Sequence, residues 1–299
     1  CVDSSKAWMS RVTPLREAAS TTRWVGVGNG VSGTVRRVHE RPDAPPSWAS
    51  TIRPMSDARV PHEPRPRHVV VVADGDVPPR AALDAAWPGW DAGMVEVLAA
   101  DGGLARARDL GLEPALLVGD MDSLAPGLLA EAEATGTTVL RALADKDESD
   151  MELALLEAVR RGATRVTVLG ALGGPRVDHA LANVWLLAHP ALAGVDVALL
   201  DARSRLVLVC APGLDDAPVR RLLPGPPGAI LSLLPLGGDV SGITTVGLRY
   251  PLRDETLVTG PARGLSNVRV EPDAAVKVRR GRLLVVESVP VTGGLSSRT

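Results

Sequence analysis

From His68 onward, short apolar runs with strand character alternate with stretches of helical periodicity, and few folds accept that alternation. Strand-like runs fall at 69–73, 94–100, 115–119, 137–143, 165–170 and 195–201. Between them, 151–161 carries Met151, Ala154, Leu155, Ala158 and Val159 on one helical stripe and stops at Gly162. A second helix is expected at 178–188, with Leu181, Val184, Trp185 and Ala188 on one side and Pro190 just beyond. This order predicts a parallel sheet flanked by helices. The pattern changes after residue 212. Residues 213–228 are rich in Pro, Gly, Asp and Arg and read as a linker, and the helical period then gives way to short strand-like runs at 229–234, 242–246, 255–258, 267–270, 275–278 and 283–287. The expected architecture is therefore an N-terminal parallel-sheet α/β domain at 68–212 followed by a C-terminal antiparallel β-sandwich domain at 229–290, with a tail at 291–299.

Residues 1–67 carry 11 Lys or Arg, 6 Asp or Glu and eight prolines without sustained periodicity, which predicts a disordered extension. The first residue is Cys1, and Met9 and Met55 are alternative starts. Without that segment, 22 basic and 29 acidic residues remain, so the expected folded part is acidic and suits divalent cations better than polyanions. The whole chain has a net charge of −2 and no apolar run near the length of a membrane helix, so neither nucleic acid nor a membrane is expected as partner. Cys1 and Cys210 are the only cysteines, too few for a disulfide framework, and Cys210 lies in an apolar run that reads as a buried strand; a reducing cytoplasm is the expected location. Phe is absent, leaving a core of Leu, Val and Ala.

Ligands of open parallel sheets bind at the carboxyl ends of the strands. There the chain concentrates acid. The second strand ends in Asp101-Gly102-Gly103, the third in Gly119-Asp120-Met121-Asp122-Ser123, and the fourth leads to Asp145-Lys146-Asp147-Glu148-Ser149-Asp150. Taken singly, Asp120 and Asp122 also suit a turn, and Ser149 with Glu152 suits a capping box. Taken together on one rim, like charges repel unless a cation neutralises them, and hard oxygen ligands select Mg²⁺ shared with phosphate rather than zinc. The fifth strand leads into Gly170-Ala171-Leu172-Gly173-Gly174-Pro175-Arg176-Val177-Asp178-His179, a glycine loop at a helix start with an Arg suited to phosphate. The bland alternative is a turn with Asp178 as N-cap. His179 alone reads more readily as a local hydrogen-bonder than as an acid or base. Gly28-Asn29-Gly30-Val31-Ser32-Gly33 matches a dinucleotide fingerprint as text, but neither a convincing strand precedes it nor a helix follows.

The ordered set of these motifs, with Arg176-Val177-Asp178-His179-Ala180-Leu181-Ala182-Asn183 and the later Arg263-Gly264-Leu265-Ser266-Asn267, resembles the thiamine pyrophosphokinase family over about residues 68–290. That resemblance implies diphosphoryl transfer from ATP to the hydroxyl of thiamine, with Mg²⁺, in a homodimer whose active sites form between subunits. It implies that Asp101, Asp120, Asp122, Asp147 and Asp150 hold the metal, and that Asp120, Asp122, Asp147, Asp150, Arg176 and Asp178 serve catalysis. Asp101, Gly102, Gly103, Ser123, Lys146, Gly173, Gly174 and His179 are implied on the nucleotide side, and Arg263, Ser266 and Asn267 on the thiamine side. Ser149 stands where the family often has Thr, and Pro175 intervenes between the paired glycines and Arg176. Two other functions fit parts of the pattern: transfer to a different alcohol by the same fold, and a non-catalytic nucleotide-binding or interaction module.

Overall fold

The computed structural model describes residues 66–122, 124–143, 145–212 and 217–289. The expectations for residues 1–65, including the 28–33 fingerprint, and for 290–299 lie outside it.

The first strand, β1 (His68–Val72), is buried throughout: Val69, Val70, Val71 and Val72 are all 0% exposed. Burial on both faces is what a parallel sheet covered by helices requires, and each such side chain contributes about 1.5–3 kcal/mol relative to exposure. On one side of β1 the sheet grows through β2 (Met94–Ala100), β3 (Leu116–Gly119) and β4 (Thr138–Arg141); on the other it grows through β5 (Arg165–Leu169) and β6 (Asp196–Leu200). All these pairings are parallel. Strand order thus reverses at β1, which makes the crevice beside it the expected ligand position.

Helices α1 (Arg80–Ala86), α2 (Gly103–Asp109) and α3 (Pro126–Ala134) bury Leu83, Leu104, Ala107 and Ala132 against one face. Helix α4 (Asp150–Arg160) covers the other with Met151, Ala154, Leu155 and Ala158. The stripe read from sequence is the one buried. Helix α5 (Val177–Leu186) lies beside α4, has no buried residue, and leaves Val177, Leu181 and Trp185 exposed.

The expected fold class holds, with one addition. The sheet does not end at β6: β7 (Ser204–Ala211), β14 (Gly281–Ser288), β9 (Ile230–Pro235) and β12 (Asn267–Val268) extend it antiparallel to ten strands. The switch of direction follows from a tight turn in which Asp201 Oδ1 accepts the N–H groups of Arg203 and Ser204 at 2.5 and 2.7 Å. A second sheet, β11 (Arg253–Leu257), β10 (Val240–Val246), β13 (Asp273–Val278) and β8 (Val219–Pro224), packs on this extension through Val207, Leu231, Leu233, Ile243, Val276 and Val285. One layer of the sandwich is therefore the far half of the catalytic sheet. Strand β8 falls inside the stretch read as linker, and Cys210 is exposed on β7 rather than buried, because Val207 and Val209 take the inward positions.

Candidate active site

The carboxyl ends of β2 and β3 and the start of α4 converge. Carboxylate oxygens of Asp101, Asp120 and Asp150 lie within 4.8 Å of one another, each residue partly buried. Local structure explains the convergence. Asp101 has φ 44° and donates its N–H to Val118 O at 2.8 Å, which turns the chain out of β2 toward β3. A Cβ on Gly103 would lie 2.0 Å from Val72 O, so only glycine lets α2 start this close to β1. Between the two aspartates after β3, Met121 is 7% exposed and has φ 68°. Its side chain enters the core beside Leu104 and Leu117 while Asp120 and Asp122 face outward. Positive φ at two non-glycine residues costs about 1 kcal/mol each, the kind of strain that collects at functional sites.

Asp150 is the first residue of α4, whose N-cap is the expected one: Ser149 accepts the Glu152 N–H at 3.1 Å. The helix end favours negative charge there. Lys146 Nζ lies 2.9 Å from Asp150 Oδ1, and the charges of Asp150, Asp120 and Asp101 raise its pKa. Three carboxylates against one ammonium leave a surplus of about two negative charges, which a divalent cation with oxygen preference would offset. The donor set fits Mg²⁺.

Of the other expected ligands, Asp122 and Asp147 are exposed and stand outside the three-carboxylate group; the Asp122 N–H donates to Asp120 Oδ1 at 3.2 Å. Ser123 is outside the described residues. Gly102 sits against Asp74, and a Cβ there would meet the Asp74 carboxyl at 2.4 Å. Asp74 and Asp76, which follow β1, were missed from sequence although the same signal was available, an acidic glycine turn directly after a strand. Asp76 Oδ2 accepts the Gly174 N–H at 2.9 Å, and Gly75 donates to Gly170 O at 2.9 Å, so the exits of β1 and β5 are tied together at the switch point.

The glycine loop holds Gly173 and Gly174 at φ 78° and 80°. It is anchored from α5 by Asn183 Nδ2, which donates to Ala171 O at 2.9 Å. Arg176 takes the N-cap position and Asp178 the first turn, so Asp178 is not the cap. The two form a bidentate pair at 2.9 and 2.6 Å, which pulls the Asp178 carboxyl well below the usual carboxylate range. Both are 64% exposed, and His179 is exposed beside them.

Arg263, Ser266 and Asn267 sit at the opposite edge of the large sheet, where β12 begins. Gly264 is fixed by close approach: a Cβ would lie 1.9 Å from Leu233 O, and Leu233 donates its N–H to Gly264 O at 2.8 Å. Arg263 is exposed and paired with Glu255. Ser266 has φ 57° and is exposed. Asn267 is engaged with backbone. Its Oδ1 accepts from Tyr250 N–H and Val268 N–H and its Nδ2 donates to Tyr250 O, so this buried amide clamps the neighbouring turn and leaves one N–H at most for a substrate.

Residues 93–199 match the family model for the catalytic domain of thiamin pyrophosphokinase, and residues 222–283 match that for its vitamin B1 binding domain. The chain belongs to the thiamine pyrophosphokinase family. Among relatives, thiamine pyrophosphokinase of Bacillus subtilis is 25% identical over 202 residues, covering 68% of this chain and 86% of that protein. Thiamine pyrophosphokinase 1 of Oryza sativa subsp. japonica is 26% identical over 200 residues, 60% of this chain and 73% of the relative. Among solved structures, a thiamin pyrophosphokinase family protein from Enterococcus faecalis superposes with a TM-score of 0.61 at 29% identity, covering 75% of this chain and 99% of its own. The Bacillus subtilis enzyme superposes at 0.64 with 23% identity over the same shares, a likeness of fold. The acidic group lies in the first of these matched segments and the Arg263–Asn267 loop in the second.

Proposed function

We propose that the chain is an ATP:thiamine diphosphotransferase, in which the thiamine hydroxyl attacks the β-phosphorus of ATP and AMP leaves, so that the β and γ phosphates travel together. The observation that carries this reading is the meeting of Asp101, Asp120 and Asp150 within 4.8 Å at the rim where a nucleotide binds in sheets of this kind. Held by these three, Mg²⁺ would supply charge neutralisation on the phosphates. Lys146 and Arg176 add positive charge on the path of the transferred group, and the N–H groups of the 170–174 loop face phosphate oxygens. Asp122, outside the three-carboxylate group, is free to take the proton of the attacking hydroxyl. Arg263 and Ser266 contact thiamine, with Asn267 shaping their loop.

Support for a site built by two copies comes from the separation of the thiamine loop and the acidic group within one copy. Seven strand spacings separate β12 from β2 in the sheet, about 33 Å. The reading therefore includes a homodimer in which one copy's acidic rim faces the other's Arg263–Asn267 loop, and the exposed stripe of Val177, Leu181 and Trp185 beside the glycine loop is surface such a contact would cover. A small-molecule reaction in the cytoplasm suits a chain in which no described helix is long and apolar enough to cross a membrane.

The test is production of thiamine diphosphate and AMP from ATP, Mg²⁺ and thiamine, against a control without thiamine. Equal amounts of both products are expected. ADP in place of AMP, or no product with thiamine and product with another alcohol, would overturn the assignment.

A further inference from the structure

The helices leave one part of the sheet bare. On the face carrying α1, α2 and α3, cover extends over β1 to β4 and over Leu169 and Leu200 at the carboxyl ends of β5 and β6, and the second sheet covers β7, β14 and β9, which leaves the earlier part of β5 and β6 open. Strands β5 and β6 lie between these covers. Above them is a cavity of about 350 Å³ with Thr167, Ala198 and Leu200 on its floor. The turn after α1 forms one wall and the turn after β8 the other. This volume is that of a small-molecule pocket. It is separate from the acidic rim, since Arg165 and Asp196, which line it, are the first residues of β5 and β6 and so stand at the amino ends of the strands.

Two observations define what would bind. Trp87 is a fixed aromatic wall: its Nε1–H donates to Asp201 O at 2.6 Å, and the Arg205 guanidinium lies 5.3 Å from its ring centre. The inner end is positively charged. Glu287, 3% exposed, is shared by Arg205 at 2.5 Å and Arg269 at 2.6 Å, so one carboxylate faces two guanidinium groups. Arg269 is 0% exposed, and its Nε and Nη2 have no hydrogen-bond partner. Gly225, a lining residue, packs against this pair; a Cβ there would lie 2.4 Å from Arg269 Nη1. At the mouth, Arg221 is neutralised by Asp196 at 2.6 Å, whereas Arg165 forms no ion pair among the described residues. One carboxylate against two guanidinium groups leaves a net positive charge in a largely buried wall, which attracts an anion more strongly than an exposed charge does, and the exposed Arg165 adds to it.

We propose that this cavity is a second ligand site, separate from the acidic centre, for a flat aromatic molecule carrying an anionic group, with the ring against Trp87 and the anion drawn by the net positive charge that Arg165 and the Arg205–Glu287–Arg269 group together give the lining. The inference does not depend on the proposed reaction.

The probe is 8-anilinonaphthalene-1-sulfonate, titrated by fluorescence into the whole chain beside its uncharged analogue N-phenyl-1-naphthylamine. The sulfonate binds saturably below about 100 µM, and the uncharged analogue binds at least about tenfold more weakly. Arg165→Glu and the cavity-filling Ala198→Phe each weaken sulfonate binding by about tenfold or more, whereas Asp120→Asn and Leu181→Ser leave it within about twofold. Arg165→Glu changes an exposed side chain and keeps the test valid if Ala198→Phe does not fold. Sulfonate binding that persists in Arg165→Glu, that is lost in Leu181→Ser or Asp120→Asn, or that does not saturate overturns the proposal.

Discussion

Lys146 Nζ and Asp150 Oδ1 stand 2.9 Å apart at the entrance to α4, so an ammonium is built into the carboxylate group that is proposed to hold the metal. Replacing Lys146 by Met leaves Asp101, Asp120 and Asp150 facing one another without that cation. The metal-free protein then melts at a lower temperature, and Mg²⁺ raises its melting temperature by more than it does for the unaltered chain. Thermal melts with and without Mg²⁺ measure this. Equal Mg²⁺-induced shifts in the two proteins would show that Lys146 does not balance the cluster.

Asp120→Asn removes one formal charge from the three-carboxylate group while keeping the side-chain shape. An interaction of several kcal/mol in the transition state is lost, and kcat falls at least about a hundredfold with unchanged circular dichroism. Asp147→Asn, at an exposed position outside the group, costs less than about tenfold. Steady-state rates for the two variants separate a metal position from a peripheral one, and equal losses would contradict the distinction.

If the site is built by two copies, as proposed, a mixing experiment tests it. Asp120→Asn and Arg263→Ala are each inactive alone, but a mixed dimer has one site with both residues intact. After equimolar unfolding and refolding together, activity returns to about a quarter of the unaltered level, since about half of the dimers are mixed and each has one good site. No recovery would mean that each copy builds its site from its own residues.

Gly264→Ala forces a Cβ to within 1.9 Å of Leu233 O. The Arg263–Asn267 loop must move away from β9, so KM for thiamine rises while KM for ATP stays within about twofold. A parallel rise in both would place the loop's influence elsewhere.

Acid sensitivity has two separable origins. The Arg160 and Arg161 guanidinium groups hold the Glu157 pKa down at about 2, so its stabilising contribution is complete above pH 4.5 and is lost as pH falls toward 2. Arg160 is 70% exposed, which limits the effect to roughly 1–2 kcal/mol. His68 is buried between Ala92 O and Thr167 Oγ1, and burial lowers its pKa from 6.5. Its contribution is present above pH 6.5 and is lost as pH falls through the lowered value. Urea unfolding across pH resolves the two windows: Glu157→Gln flattens only the lower one. An unchanged slope between pH 4.5 and 2 in that variant would refute the assignment.

Much of the site was legible because its signals are local. The meeting of Asp101 and Asp120 follows from the rule that strand ends gather at one rim, whereas Asp150 reaches it from the start of α4, and the Ser149 cap with the α4 stripe follows from spacing alone. Other placements were not legible in the sequence, for physical reasons. Strand β8 was read as linker because only Leu223 of its residues is buried, and Arg220 and Arg221 break the apolar alternation of an edge strand. Asp122 and Asp147 look equivalent to their neighbours in sequence; the inward turn of Met121 and the start of α4 decide which carboxylates meet. The Asn267 amide could have faced substrate or backbone, and only its place opposite Tyr250 determines which.

The continuous ten-stranded sheet has a consequence for how activity is set. Strands hydrogen-bonded edge to edge cannot fold over to bring β12 to β2, so no hinge within one copy substitutes for its partner. On the two-copy reading, specific activity falls on dilution with the dissociation constant of the pair, and the enzyme's own abundance becomes one of the variables that govern its turnover.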